Sequence, residues 1–361
     1  MQQHIYGGTE SACAAVFVST GPIMPADLQN LENILRKRYP HADIWSTPDG
    51  VVILVNSDNA ADLQELTTVS ATLQEIDIDG NSRLPQLKQE SLAENLMAIK
   101  YTQPLTNEII AAAELFVTVA AGSGFAGDID GIHTELLTAL NAKECTKLAP
   151  TRLVDLNAEM SGIWIQSKVQ SGAFLRFCRP LPDPEDYADL LGRSVVNAVV
   201  GGLGNSLITA QLRDSAQLSY NPYSVLTYRG GFQWLVVDID TSAGYEKDVA
   251  ELLRTTLRTE LSTTLTEQRV RHAVRFMLRL QKDVAVKPHL KARLNLTKVD
   301  GSDPFGASFA RKEDFVLEHD FLLHIANQIF DIEKMRLIAV SQSEEPEWFS
   351  EFRTPVTDRS L

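Results

Sequence analysis

The stretch from residue 172 to 240 constrains the chain most, because a strand, two helices and a hairpin can be read from it in a fixed order. Residues 173–178 form an apolar strand. A proline-bounded turn and a helix follow, with Leu190, Val195, Val196 and Val199 at near-helical spacing. A glycine turn at Gly201, Gly202 and Gly204 leads into a second helix that ends near Arg213, and a β-hairpin closes the stretch. In its last strand Phe232, Trp234, Val236 and Asp238 alternate with Gln233, Leu235, Val237 and Ile239, so both faces are largely apolar.

The first half repeats this order in shortened form. Residues 14–19 predict a strand, and 25–38 a helix with Pro25 in its first turn and Leu28, Leu31, Ile34 and Leu35 on one face. Residues 42–46 and 51–55 flank Pro48-Asp49-Gly50 as a hairpin. Helices are expected over 58–73, capped by Asp58, and over 84–97 and 107–119. In the second half the helices are expected over 184–200, 204–214, 245–261 and 266–281, with the hairpin over 223–239 and a strand over 335–340. The chain reads as two copies of one strand, helix, hairpin, helix, helix unit, alike in order and not in sequence. A chain of 361 residues is also too long for one growing core, so two domains are expected, 1–160 and 161–361. The last residues read as a surface tail that docks Trp348 and Phe349 on a neighbour.

A formal net charge of −14 repels phosphate backbones and anionic membranes, so nucleic acid and membrane are excluded as expected partners. The N-terminus has no basic start before its short apolar segment, which makes that segment a strand rather than a signal sequence. No run approaches the length of a membrane span. Cys13, Cys145 and Cys178 cannot all pair within one chain and show no C-x-x-C spacing, which points to reduced thiols and a cytoplasmic protein.

Catalytic patterns fail one by one. Gly122-Ser123-Gly124-Phe125-Ala126-Gly127 is a literal G-x-G-x-x-G, yet Asp128 and Asp130 follow it, where they would repel a phosphate and delay a helix. An inter-helix loop is the expectation. There is no G-x-S-x-G, and Cys178 stands within a strand as a buried or edge thiol. Arg271, Arg275 and Arg279 form a basic stripe on a helix introduced by Thr264-x-x-Glu267 as a capping box, a solvated face or a dock for an acidic partner.

Gly201-Gly202, then Gln211-Leu212-Arg213, then Leu218-Ser219-Tyr220 resemble the second domain of a pitrilysin/insulinase-type zinc metallopeptidase. The resemblance implies an α+β fold of two related sandwich domains, each an antiparallel sheet plus helices, facing each other across a cleft. It also implies that Arg213 and Tyr220 hold a substrate peptide. Their bland reading is a cation at a helix C-terminus and a tyrosine packed at a strand start. The family's zinc domain needs H-x-x-E-H on its first helix, with two imidazoles one turn apart and a glutamate as base. Here that helix is PADLQNLENILRKR, without histidine, and none of the seven histidines stands four residues from another. Glu32 alone cannot hold zinc. The chain is therefore expected to have no catalytic residue and no metal of its own. The resemblance implies a substrate-binding subunit of a heterodimeric metalloendopeptidase, with zinc in an H-x-x-E-H-bearing partner and a peptide or precursor leader as substrate. Asn205-Ser206-Leu207 departs from the family's usual Ser-Arg-Leu. The alternative is a structural core subunit of the same fold without a proteolytic role.

Overall fold

A strand that is apolar on both faces needs a cover on each side, and two such strands become the centres of two sheets. The computed structural model describes residues 11–47, 49–76, 93–94, 96–97, 101–121, 125–144, 161–167, 172–229, 231–286, 292 and 310–353. The first central strand is β1 (Ala12–Ser19). After it come helix α1 (Pro25–Arg38), the hairpin β2 (Asp43–Thr47) and β3 (Gly50–Ser57), and short helices α2 (Ala60–Leu63), α3 (Val69–Glu75) and α4 (Asn107–Ala111). Strand β4 (Glu114–Ala121), helix α5 (Ile129–Leu140) and a two-residue β5 (Lys143–Glu144) complete the unit. The sheet order is β2-β3-β1-β4-β5, with β1 antiparallel to β3 and β4, and β5 parallel to β4.

The second unit opens on β6 (Ile163–Gln166) and the central strand β7 (Ala173–Leu181). Helices α6 (Tyr187–Asn197) and α7 (Leu207–Thr209), the hairpin β8 (Tyr223–Arg229) and β9 (Phe232–Thr241), and helices α8 (Glu246–Thr264) and α9 (Glu267–Val286) follow. The unit ends with α10 (His319–Ile329), β10 (Arg336–Ser341) and α11 (Ser350–Arg353). Its order is β8-β9-β7-β10-β6, with β7 antiparallel to β9 and β10, and β6 parallel to β10. The two sheets match strand for strand. Only the outer parallel strand differs in origin, since β5 follows its neighbour in the chain and β6 precedes its own.

Each sheet lays one face on helices of its own unit. Leu175, Phe177, Leu235, Val237, Ile239, Leu337 and Ala339 of the second sheet meet the helical layer of α6, α8 and α10. The opposite face is covered from the other half of the chain. Ala93, Met97 and Tyr101 pack on Phe174, Cys178, Trp234 and Ile338. In return Ala292 lies on Cys13, Phe17 and Phe116 of the first sheet. Residue 160 thus divides the strands between two sheets without dividing the layers that cover them.

Charge reinforces this exchange. Arg176 on β7 makes two bonds of 2.7 Å to Asp238 on β9, and its third nitrogen reaches Glu94. Glu94 also accepts from Arg229 Nε at 2.8 Å. Burial works against the charge on Glu94, but Arg229 and Arg176 outweigh it and hold the carboxyl below its ordinary value of 4.5.

Several expectations are corrected. The segment expected as a helix over 107–119 is helical only in α4, and then becomes β4, because Phe116, Val117, Thr118 and Val119 suit a strand flanked on both sides. The helix expected over 58–73 is broken into α2, a 3₁₀ turn at Gln64–Thr68 and α3, and it is capped by Asn59 rather than Asp58. Of the helix expected over 84–97, residues 84–92 and 95 lie outside the described residues. The G-x-G-x-x-G run joins a strand to a helix rather than two helices. Its residues 122–124 lie outside the described residues, and Asp128 starts α5 without delay by accepting from Gly131 N. At α9 it is Thr266, not Thr264, that accepts the first free backbone N–H, from Arg269. Trp348 and Phe349 dock on their own chain, against Trp164 of β6 at ring distances of 6.0 and 5.3 Å. The helical stretch Tyr187–Ser215 is long and apolar enough by composition to cross a membrane, with mean hydropathy 1.3. Its apolar residues Leu191, Val195, Val199, Ile208 and Leu212 instead belong to the helical core of the second sheet.

Two predictions follow the packing. Glu94→Gln should cost about 2 kcal/mol at neutral pH, because it leaves two guanidinium groups short of a carboxylate. Since the folded carboxyl titrates below 4.5, its contribution is complete above that pH and fades as pH falls through the folded value, so the gap from the parent should close in acid. Urea titrations at several pH values measure this, and a gap that widens in acid would contradict it. A side chain on Gly201 would collide with Ser224 Oγ on β8, so Gly201→Ala should lower stability by about 1–3 kcal/mol in the same assay.

Candidate functional site

Arg213 lies in a π-helical turn, Ala210–Ser215, that extends α7. Such turns widen the helix and often mark functional positions. The chain leaves the turn through Gln217, whose φ of 57° is left-handed, and the N–H groups of Leu218 and Ser219 both return to the Leu212 carbonyl. Thr241 Oγ1 then donates to the Leu218 carbonyl at 2.6 Å, and Ser219 Oγ to Asp240 at 3.3 Å. The backbone leading to Tyr220 is therefore anchored to the end of β9. The Tyr220 side chain projects from that anchor and is 85% exposed.

Arg213 is held from the side. Its Nε donates to Asp214 at 2.8 Å and one terminal nitrogen to the Gly204 carbonyl at 3.1 Å. The bond to Asp214 keeps the guanidinium more firmly charged than usual. A guanidinium has five donors, so several stay available after these two bonds. Arg213 and Tyr220 open on one recess of about 610 Å³, floored by Gly172, Asp240 and Thr241 where β7 starts and β9 ends. Gly172 has φ +95°, and a side chain there would stand 2.8 Å from the Thr241 carbonyl, so the floor requires glycine. Fixed N–H donors beside an exposed phenol can hold carbonyl groups of an extended chain.

The position where a metal would be sought is differently employed. Glu32 on α1 accepts from the backbone N–H of Ser46 on β2 at 2.8 Å and from Arg36. Its carboxylate fixes an edge strand to a helix, and the residues three before and one after it are Gln29 and Asn33. Among the described residues no three His, Cys, Asp or Glu side chains are grouped to hold a metal. Cys178 is fully buried, and burial pushes its thiol up to about 12 despite Arg336 and Arg176 nearby, which leaves it no thiolate to attack with.

Residues 138–277 match the family model described as the peptidase M16 inactive domain. Over that stretch the chain is similar to an M16 inactive domain. No curated protein matches the chain in sequence. Solved structures share the fold of this chain over nearly its whole length. The peptidase M16 inactive domain from Pseudomonas fluorescens is 13% identical at TM-score 0.61, with 93% of this chain and 95% of that one covered. A protease from Helicobacter pylori is 10% identical at TM-score 0.64, with 94% and 95% covered. The periplasmic protease PqqL from Escherichia coli is 11% identical at TM-score 0.59, and there 95% of this chain spans 47% of that one.

The M16 resemblance pointed to Arg213 and Tyr220, and the structure brings them to one recess. It did not point to Asp214, Asp240 or the Gly204 carbonyl, which set their positions through contacts no spacing reveals. Because Tyr220 touches little, Tyr220→Ala should change stability by less than about 0.5 kcal/mol by thermal melting, and a larger loss would assign it to packing.

Proposed function

We propose that this chain is the substrate-holding, non-catalytic subunit of a heterodimeric zinc metalloendopeptidase. The observation that carries the reading is the pairing of a held guanidinium, Arg213, with an anchored yet exposed phenol, Tyr220, over an open recess. Solvent-facing aromatics on a fixed backbone are a feature of binding surfaces rather than of cores.

The chemistry is divided between two chains. A partner bearing H-x-x-E-H holds the zinc that activates water, while Arg213 and Tyr220 hold main-chain carbonyls so that the scissile bond stays in place. The recess opens beside the start of β8, the edge strand of its sheet, and a peptide can extend along such an edge with little demand on sequence. Small peptides or a precursor's leader fit this mode. Cys13 and Cys178, free and buried, support a reducing compartment such as the cytoplasm.

The test is peptide cleavage by this chain, by an H-x-x-E-H-bearing candidate, and by the two mixed. Cleavage should appear on mixing, and Arg213→Ala should reduce it by about a hundredfold while the complex still elutes as one species. Loss of the complex instead would assign the chain to a scaffold, and cleavage by this chain alone would overturn the reading.

A further inference from the structure

A second recess lies on the other side of the turn that holds Arg213. It has a volume of about 350 Å³, and its polar lining includes Asn205, Thr266, Gln268, Arg269, His272 and Arg275. Its apolar floor is Ala198, Val199 and Leu203 of a second π-helical turn, Ala198–Gly202, and its exit. One contact links the two recesses: Arg213 of the first donates to the Gly204 carbonyl, and the neighbours of Gly204, Leu203 and Asn205, line the second.

The lining is one-sided in charge. Among the described residues no carboxylate lines it, in a chain of net charge −14. Three acids of the adjoining segments are engaged with other side chains: Glu267 with Arg271, Asp214 with Arg213, and Glu260 with Gln211. Arg269 is turned inward by its bond to Thr264 Oγ1. Asn205, Gln268, His272 and Arg275 have no hydrogen-bond or ion-pair partner among the described residues. A hollow with an apolar floor and a rim of unsatisfied donors suits a short acidic side chain, whose methylene packs below while its carboxylate meets the donors.

The geometry points to this recess as a specificity pocket for an aspartate or glutamate side chain of the peptide held at Arg213 and Tyr220. The assignment rests on the peptide-holding reading above and adds a substrate class to it. Arg275 is the specificity-determining residue, with His272 and Gln268 as further donors.

The test uses the full chain and dye-labelled ten-residue peptides, one with a single glutamate and one with glutamine in its place, the position being moved along the peptide. At the best position the glutamate peptide should bind about tenfold more tightly by fluorescence anisotropy, one charge-assisted hydrogen bond's worth. Arg275→Gln should erase the preference and leave the weaker binding intact. Arg213→Ala should weaken both peptides alike and keep the preference. A direct probe accompanies this: N-acetylglutamate N-methylamide should shift the His272 imidazole signals in NMR, and the glutamine analogue should not. Equal binding of the two peptides at every position, or an unmoved His272, overturns the pocket. A retained glutamate preference with no effect of Arg213→Ala would uphold the pocket and overturn the peptide-holding reading instead. Inorganic phosphate moving His272 as strongly as the glutamate probe, without any peptide preference, would reassign the recess to free anions and overturn the proposal.

Discussion

The structure depends on the need to cover sheets that are apolar on both faces. Each unit's own helices cover one face, and the other would stand open to water without material from the opposite half. Ala93, Met97 and Tyr101 fill that role for the second sheet, and Ala292 takes part in it for the first. Apolar burial on these faces is non-directional, so it does not by itself fix how the halves sit. The bonds from Arg176 and Arg229 to Glu94 add direction, because a buried guanidinium tolerates few alternatives. The β7–β9 pair that carries this network at its middle also floors the recess at its end.

Function is built on the same rigid pair. The end of β9 holds the loop before Tyr220 through Thr241 and Asp240, and Asp214 and Gly204 hold Arg213. Neither side chain is placed by burial. Tyr220 is carried by backbone anchored to the end of β9, and Arg213 is held by Asp214 and the Gly204 carbonyl, which is how an exposed group can be oriented without losing access to a ligand. On α1, where an active M16 domain would present its metal ligands, the carboxylate of Glu32 has become a fastening for β2.

Much of this was legible in the residues. The alternation in 232–239 announces a strand covered on both faces, and Leu28, Leu31 and Leu35 announce the buried stripe of α1. The strand β4 was not legible, because Asn107 to Ala111 begins as a helix and the apolar run behind it has no polar alternation to mark a change of period. The exchange of covering segments was also hidden, since Glu94 and Arg176 are 82 residues apart and nothing local pairs them. The resemblance supplied Arg213 and Tyr220, while the residues that hold them had no sequence signal of their own.

The central claim is that Tyr220 meets a peptide in the assembled enzyme. Photocrosslinking tests it most directly, with p-benzoylphenylalanine in place of Tyr220 and a labelled peptide added to the chain together with its H-x-x-E-H-bearing partner. The account predicts crosslinks from position 220 to the peptide, lost on adding excess unlabelled peptide. Crosslinks to the partner protein alone, unchanged by peptide, would contradict it and make the exposed tyrosine part of an assembly surface.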